Sequence, residues 1–271
     1  MNATSLLMRS SRPPLWREAR LGLEAAGLLR DPVLRGEGLG DGRGRPTLLI
    51  PGFLAGDSSL ALMGDWLRRA GYRPCRAGMR MNANCGGAAV ERLEERLERV
   101  VEEQGQRAVA IGQSRGGSLA KVLAVRRPDL VCGVVTLGSP QVDPLAVHPL
   151  VRLQVEAVGR LGSLGAPGLF KRSCLEGDCC ASFWDGLAAP MPNGVGFVSI
   201  YSRSDGIVDW HACLDPTADE LVEISGSHCG MAVNPAAWRA VAKALDRFRR
   251  AETRRLPAAK QRAVGKLRRV A

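Results

Sequence analysis

The sequence predicts an α/β fold in three layers: a mostly parallel sheet with helices on both faces and an inserted cap. Three observations carry this. From Pro46 onward, short apolar runs alternate with amphipathic helical periods, the order that produces a parallel sheet. Between residues 141 and 193 the alternation stops for longer than a plain connection needs. The chain has 271 residues, 45% of them apolar, enough for one large core.

Residues 1–45 read as a leader and linker. Leu15 to Leu29 has the spacing of a short amphipathic helix, and Gly36 to Gly44 is a glycine-rich linker. Residues 46–250 read as the main domain. Pro46-Thr47-Leu48-Leu49-Ile50 is a continuous apolar run, as expected of a strand buried on both faces. Ser58 to Ala70 follows as a helix, and Tyr72 to Ala77 as a short strand. Ala88 to Glu103 sets Val90, Leu93, Leu97, Val100 and Val101 among charges at helical spacing. Arg107 to Gly112 reads as a strand, Gly116 to Arg126 as a helix and Leu130 to Leu137 as a strand. After the cap, Gly196 to Tyr201 and Glu220 to Ile224 read as strands. Pro235 to Phe248 reads as a closing helix, entered through Asn234 as cap. Residues 251–271 read as a fraying basic tail.

The cap, about residues 141–193, contains an apolar helical piece from Val147 to Leu161. It is expected to lie over the C-terminal edge of the sheet, where ligands of such sheets bind. Part of the apolar face formed by Val147, Leu150, Val151, Leu153, Val155, Val158 and Leu161 should line a ligand pocket, with Leu150 and Leu153 as the positions whose replacement would test it.

Chemistry concentrates in four short segments. Gly112-Gln113-Ser114-Arg115-Gly116 matches G-x-S-x-G between a strand and a helix, the context in which the motif makes a tight turn that exposes a serine. A serine hydroxyl needs a base. Of the three histidines, His228 follows the last strand, where a loop can return to the serine; His148 and His211 suit structural roles. The base needs an acid to fix its tautomer. Asp205, directly after Gly196 to Tyr201, is the first choice and Asp143 the competitor, while Asp209 suits a turn. Backbone N–H groups of Phe53 and Arg115 are the expected donors to an oxyanion.

Those segments resemble one family. Pro51-Gly52-Phe53, Gly112-Gln113-Ser114-Arg115-Gly116-Gly117, Ser204-Asp205-Gly206-Ile207-Val208 and Gly226-Ser227-His228, in that order, are similar to the α/β-hydrolase superfamily and within it to compact bacterial lipases and esterases. Gln113 and Pro51 stand where many lipases carry histidine. The resemblance spans about Pro46 to Arg249. It implies a serine hydrolase that cleaves carboxylic esters through an acyl-enzyme, without metal or organic cofactor. An acyltransferase or thioesterase using the same triad is the alternative, and a non-catalytic binding protein a further one. The expected partner is a small-molecule ester with an apolar acyl group.

Charge and cysteines bound the remaining possibilities. Of a net charge of +11, nine belong to the last 25 residues, where ten Lys or Arg face one acid, Glu252. The tail is read as solvated, with an anionic surface as its alternative partner. No aromatics beyond Phe248 accompany it, so specific nucleic-acid binding is not expected. No segment approaches the ~18 apolar residues of a membrane span, and the N-terminus lacks a signal-peptide core, so the reading is cytoplasmic. The eight cysteines show no CxxC spacing, so no metal site is expected. Cys132 reads as a buried thiol, and Cys174, Cys179 and Cys180 as thiols with one bridge conceivable among them.

Overall fold

The computed structural model describes residues 13–176 and 178–267. The first twelve residues of the leader and the last four of the tail lie outside them, as do the tail side chains beyond Arg255. Six strands form one sheet: β1 (Pro46–Ile50), β2 (Arg73–Arg76), β3 (Ala108–Gln113), β4 (Val131–Leu137), β5 (Gly196–Tyr201) and β6 (Glu220–Glu223). Their order is β2-β1-β3-β4-β5-β6, and every pair is parallel. The strands β1, β3 and β4 are buried throughout, which explains why they read as unbroken apolar runs.

Among the described residues eight α-helical segments accompany the sheet: α1 (Leu21–Arg30), α2 (Ala61–Arg69), α3 (Gly86–Gln104), α4 (Arg115–Arg126), α5 (Pro149–Ser163), the single turn α6 (Ser173–Glu176), α7 (Ala181–Ala188) and α8 (Pro235–Leu267). Strand alternation sorts the core into two layers. Leu48, Ile50, Ala108, Ala110, Val134 and Phe197 face a core that includes Val90, Leu93, Leu119 and Leu123 of α3 and α4. Leu49, Val109, Ile111, Val135, Val198 and Ile200 face the other, built on Leu28, Trp66, Trp238 and Phe248 of α1, α2 and α8. Trp66 and Trp238 meet at 4.7 Å between ring centroids, and each indole N–H donates to a backbone carbonyl, of Val33 and Ala232 respectively.

Two expectations need correction. The closing helix does not stop near Phe248; α8 continues to Leu267. Asn234 Oδ1 accepts from the N–H groups of Ala236 and Ala237 at its start. Further along, Glu252 is buried in an ion pair with Arg107, whose guanidinium also donates to the carbonyls of Pro128, Val131 and Gly194. That contact ties the helix beyond residue 250 to the sheet. Secondly, the leader is built into the body. Leu28 and Val33 are 1% exposed in the core, and two leader carboxylates enter the site described next.

Candidate active site

Ser114 sits between β3 and α4 with φ 51° and ψ −127°. Such a conformation costs about 1–3 kcal/mol and persists only where the surroundings over-determine it. They do so here by close approach. A Cβ at Gly112 would come within 2.3 Å of the Gly116 backbone, and one at Gly116 within 2.2 Å of the Ile50 carbonyl oxygen. Only glycine fits at either place. Ser114 precedes the first turn of α4, whose leading N–H groups, that of Arg115 first, have no acceptor within the helix.

Four contacts bring the remaining segments to this turn. The Ser114 N–H donates to Leu137 O at 2.8 Å. The next residue, Gly138, has φ 56°, and a Cβ there would lie 3.1 Å from both Asp205 Oδ2 and His228 Nδ1. Gln113 Nε2 donates to the His228 carbonyl at 3.0 Å. On the other side, Gly52 approaches so closely that a Cβ on it would sit 3.3 Å from Ser114 Cβ. The 51–55 segment is shaped by the fully buried Asn82. Asn82 Nδ2 donates to Pro51 O at 2.7 Å, its N–H to Ala55 O, and its carbonyl accepts from Leu54 N–H.

His228 and Asp205 form a buried pair with Nδ1 and Oδ2 2.7 Å apart, 5% and 3% exposed. Asp205 Oδ1 accepts from the N–H groups of Ile207 and Val208 at 2.8 and 2.7 Å. A carboxylate accepts and does not donate, so Nδ1 of His228 carries the proton in this pair and Nε2 is left as the basic nitrogen. Burial lowers the His228 pKa. The charge and hydrogen bond of Asp205, with the charge of Glu18, outweigh that, and the imidazole titrates above its ordinary 6.5.

The competing residues lie elsewhere. Asp143 is exposed and accepts from Leu145 N–H in its own turn. His148 Nδ1 accepts from Leu150 N–H at the start of α5. Asp209 caps a short 3₁₀ turn and pairs with the exposed His211 at 2.7 Å.

Sequence reasoning missed what holds the histidine loop. Glu18 accepts from Gly206, His228 and Cys229 N–H, each at 2.9 Å. Glu24, buried, accepts from the Ser227 N–H and hydroxyl, both at 2.7 Å. Neither carboxylate stands in a motif. Each lies some 200 residues from its partners, and no local pattern announces such a contact.

A cavity of about 120 Å³ opens at Ser114. Phe53 and Arg115 border it beside the serine, and the cap closes it with Val147, Val151 and Val155 from one side and Phe170, Phe183 and Leu187 from another. Leu150 and Leu153 are 53% and 59% exposed and point outward, which corrects their expected place at the pocket, whereas Val151 and Val155, four residues apart on α5, take its inner face and Val147 reaches the cavity from the segment before the helix.

No family model matches this chain, and no curated protein sequence matches it. Solved structures do. A lipase from Bacillus licheniformis in its mature form superposes with a TM-score of 0.56 at 14% identity, over 76% of this chain and 94% of that one. The monoacylglycerol lipase of Paleococcus ferrophilus gives 0.53 at 14% identity, over 78% and 97%. Mouse α/β-hydrolase domain-containing protein 10 gives 0.50 at 17%, over 76% and 90%.

The chain has the α/β-hydrolase fold. In this fold the serine turn follows β3, the aspartate follows β5 and the histidine follows β6, so all three stand at the C-terminal edge of the parallel sheet. Among the described residues no helix is long and apolar enough to cross a membrane.

Proposed function

We propose that this chain is a serine hydrolase that cleaves carboxylic esters with an apolar acyl group. The observation that carries the reading is the position of Ser114: a strained turn at the mouth of an apolar cavity, tied through Leu137 and Gly138 to the buried His228–Asp205 pair. Ser114 Oγ attacks the ester carbonyl carbon while His228 Nε2 takes its proton. The N–H groups of Phe53 and Arg115 receive the oxyanion. As the tetrahedral intermediate collapses, His228 gives the proton to the leaving alcohol. Water then repeats the sequence on the acyl-enzyme and releases the acid. Asp205 holds the imidazole by Nδ1 throughout.

The valine and phenylalanine lining suits an alkyl chain, each buried methylene contributing up to about 0.8 kcal/mol. Fluorophosphonate labelling followed by peptide mapping tests the nucleophile, and a p-nitrophenyl ester series tests the pocket. Labelling at Ser114, with kcat/KM rising from acetate to hexanoate, is the expected result. A folded protein that neither labels nor turns over any ester would overturn the reading.

A further inference from the structure

Four of the eight cysteines meet at one point, and the hydrolase reaction uses none of them. The sulfurs of Cys85, Cys174, Cys179 and Cys180 all lie within 4.8 Å of one another. Cys85 and Cys180 are 3.2 Å apart, Cys174 and Cys179 3.4 Å, and Cys179 and Cys180 3.8 Å. Two disulfides would pair the sulfurs off at about 2.05 Å and leave the pairs apart. Here the distance between the pairs is nearly as short as those within them, so the sulfurs form one group. A zinc ion with Zn–S bonds of about 2.3 Å in a tetrahedron needs sulfurs about 3.8 Å apart, which is the scale observed.

We propose that these four thiolates bind a single zinc ion that fastens the cap to the body of the protein. An all-thiolate donor set is soft and tetrahedral, which selects zinc over magnesium or calcium. Four thiolates around a divalent ion leave a net charge of −2, and the surroundings match that charge. Cys85 is the N-cap residue of the 19-residue α3, at the positive end of that helix, which favours a thiolate there. The Arg115 guanidinium lies within electrostatic reach of Cys85, Cys174 and Cys180. It donates to Asn84 O and stacks on Phe170, and among the described residues it has no carboxylate partner. A zinc tetrathiolate supplies its counter-charge.

The ligands also come from two separate parts of the chain. Cys85 belongs to the start of α3, while the other three lie in the cap just before α7. Cys174 and Cys180 border the apolar cavity. Metal binding therefore closes a loop of about ninety residues and sets one wall of the pocket. The absence of CxxC spacing is accounted for, because no two ligands share such a knuckle: one is remote, and two are adjacent.

The full chain, purified with its thiols kept reduced, should contain about one zinc per molecule, and cobalt exchanged into it should show the visible and near-ultraviolet bands of a tetrahedral tetrathiolate. Cys85→Ser combined with Cys179→Ser should lose the metal, while Cys75→Ser and Cys229→Ser, outside the cluster, should keep it. Chelation of the unmutated protein, which does not depend on any variant folding, should lower Tm and expose the four thiols to alkylation together. Less than about a tenth of an equivalent of metal in protein grown with zinc would overturn the proposal. So would peptides linked Cys85–Cys180 and Cys174–Cys179 after thiol blocking, or full metal retention by the double variant.

Discussion

Ser114 takes its strained backbone among residues close to it in sequence and beside β1: Gly112, Gly116 and the Ile50 carbonyl crowd the turn so closely that no side chain fits at either glycine. His228, at 5% exposure and just as confined, is held from far away. Its loop hangs on Glu18 and Glu24 of the leader, on Gln113, and on the Ser202 hydroxyl, which donates to Gly226 O and accepts from Gly226 N–H. The nucleophile turn is thus a local device and the histidine loop an assembled one. Removal of the Ser114 hydroxyl from the first should act on chemistry alone. A substitution in the supports of the second should act on geometry, titration and stability together.

The sharpest separation comes from the reacting groups. Ser114→Ala should reduce ester turnover by about 10³-fold or more with unchanged thermal unfolding, since nucleophile and base act as a unit. Near-normal turnover by the folded variant would remove Ser114 from the mechanism. Asp205→Asn should cost about 10²–10⁴-fold by permitting the wrong histidine tautomer, and Asp143→Asn, at an exposed turn, little. A reversal of those two results would transfer the acid's role to the end of β4.

The supports should give smaller, mixed effects. Glu24→Ala leaves the Ser227 N–H and hydroxyl buried without their acceptor, a loss of about 1–3 kcal/mol. Chemical denaturation should register it together with a fall in kcat. An unchanged midpoint would mean that the loop holds itself. Glu18→Gln should act on titration. Catalysis needs neutral His228, so kcat/KM rises with pH through its pKa, which lies above 6.5 in the folded protein. Removing the Glu18 charge should move that acid limb to lower pH. The stability linked to the pair runs the opposite way. It is fully present below the unfolded histidine's pKa and is lost as pH rises through the raised folded value. An acid limb that does not move in the variant would show that Asp205 alone sets it. Smallest of all, Val151→Ala should flatten the preference for hexanoate over acetate esters several-fold, since three methyl-lined positions share the wall. Leu150→Ala, on the outer face of α5, should leave the profile unchanged.

Much of this architecture is legible in the order of residues. The runs at 46–50, 108–113 and 131–137 announce buried parallel strands because both faces are covered, and the glycines around Ser114 announce the turn because sterics act over five residues. Asp205 and His228 can be nominated as residues that follow strands. Choosing Asp205 over Asp143 requires the fold, since both follow a strand and only the path of the chain after β4 turns Asp143 out to solvent. The inner face of α5 is hidden in the sequence for a similar reason. Leucines and valines both repeat at helical spacing, and periodicity names the stripes without saying which one meets the body.

By itself the sequence determined what short-range forces decide: strand and helix periods, the serine turn and the capped start of α8. Tertiary structure alone decided which leader carboxylates grip the histidine loop, which valines line the cavity and that Cys85 meets three cysteines some ninety residues away. Steric exclusion and hydrophobic periodicity act within a few residues and leave a local mark. A hydrogen bond from the His228 N–H to Glu18, or a cluster joining α3 to the cap, depends on how distant segments are carried together. No neighbouring residue needs to change to record it.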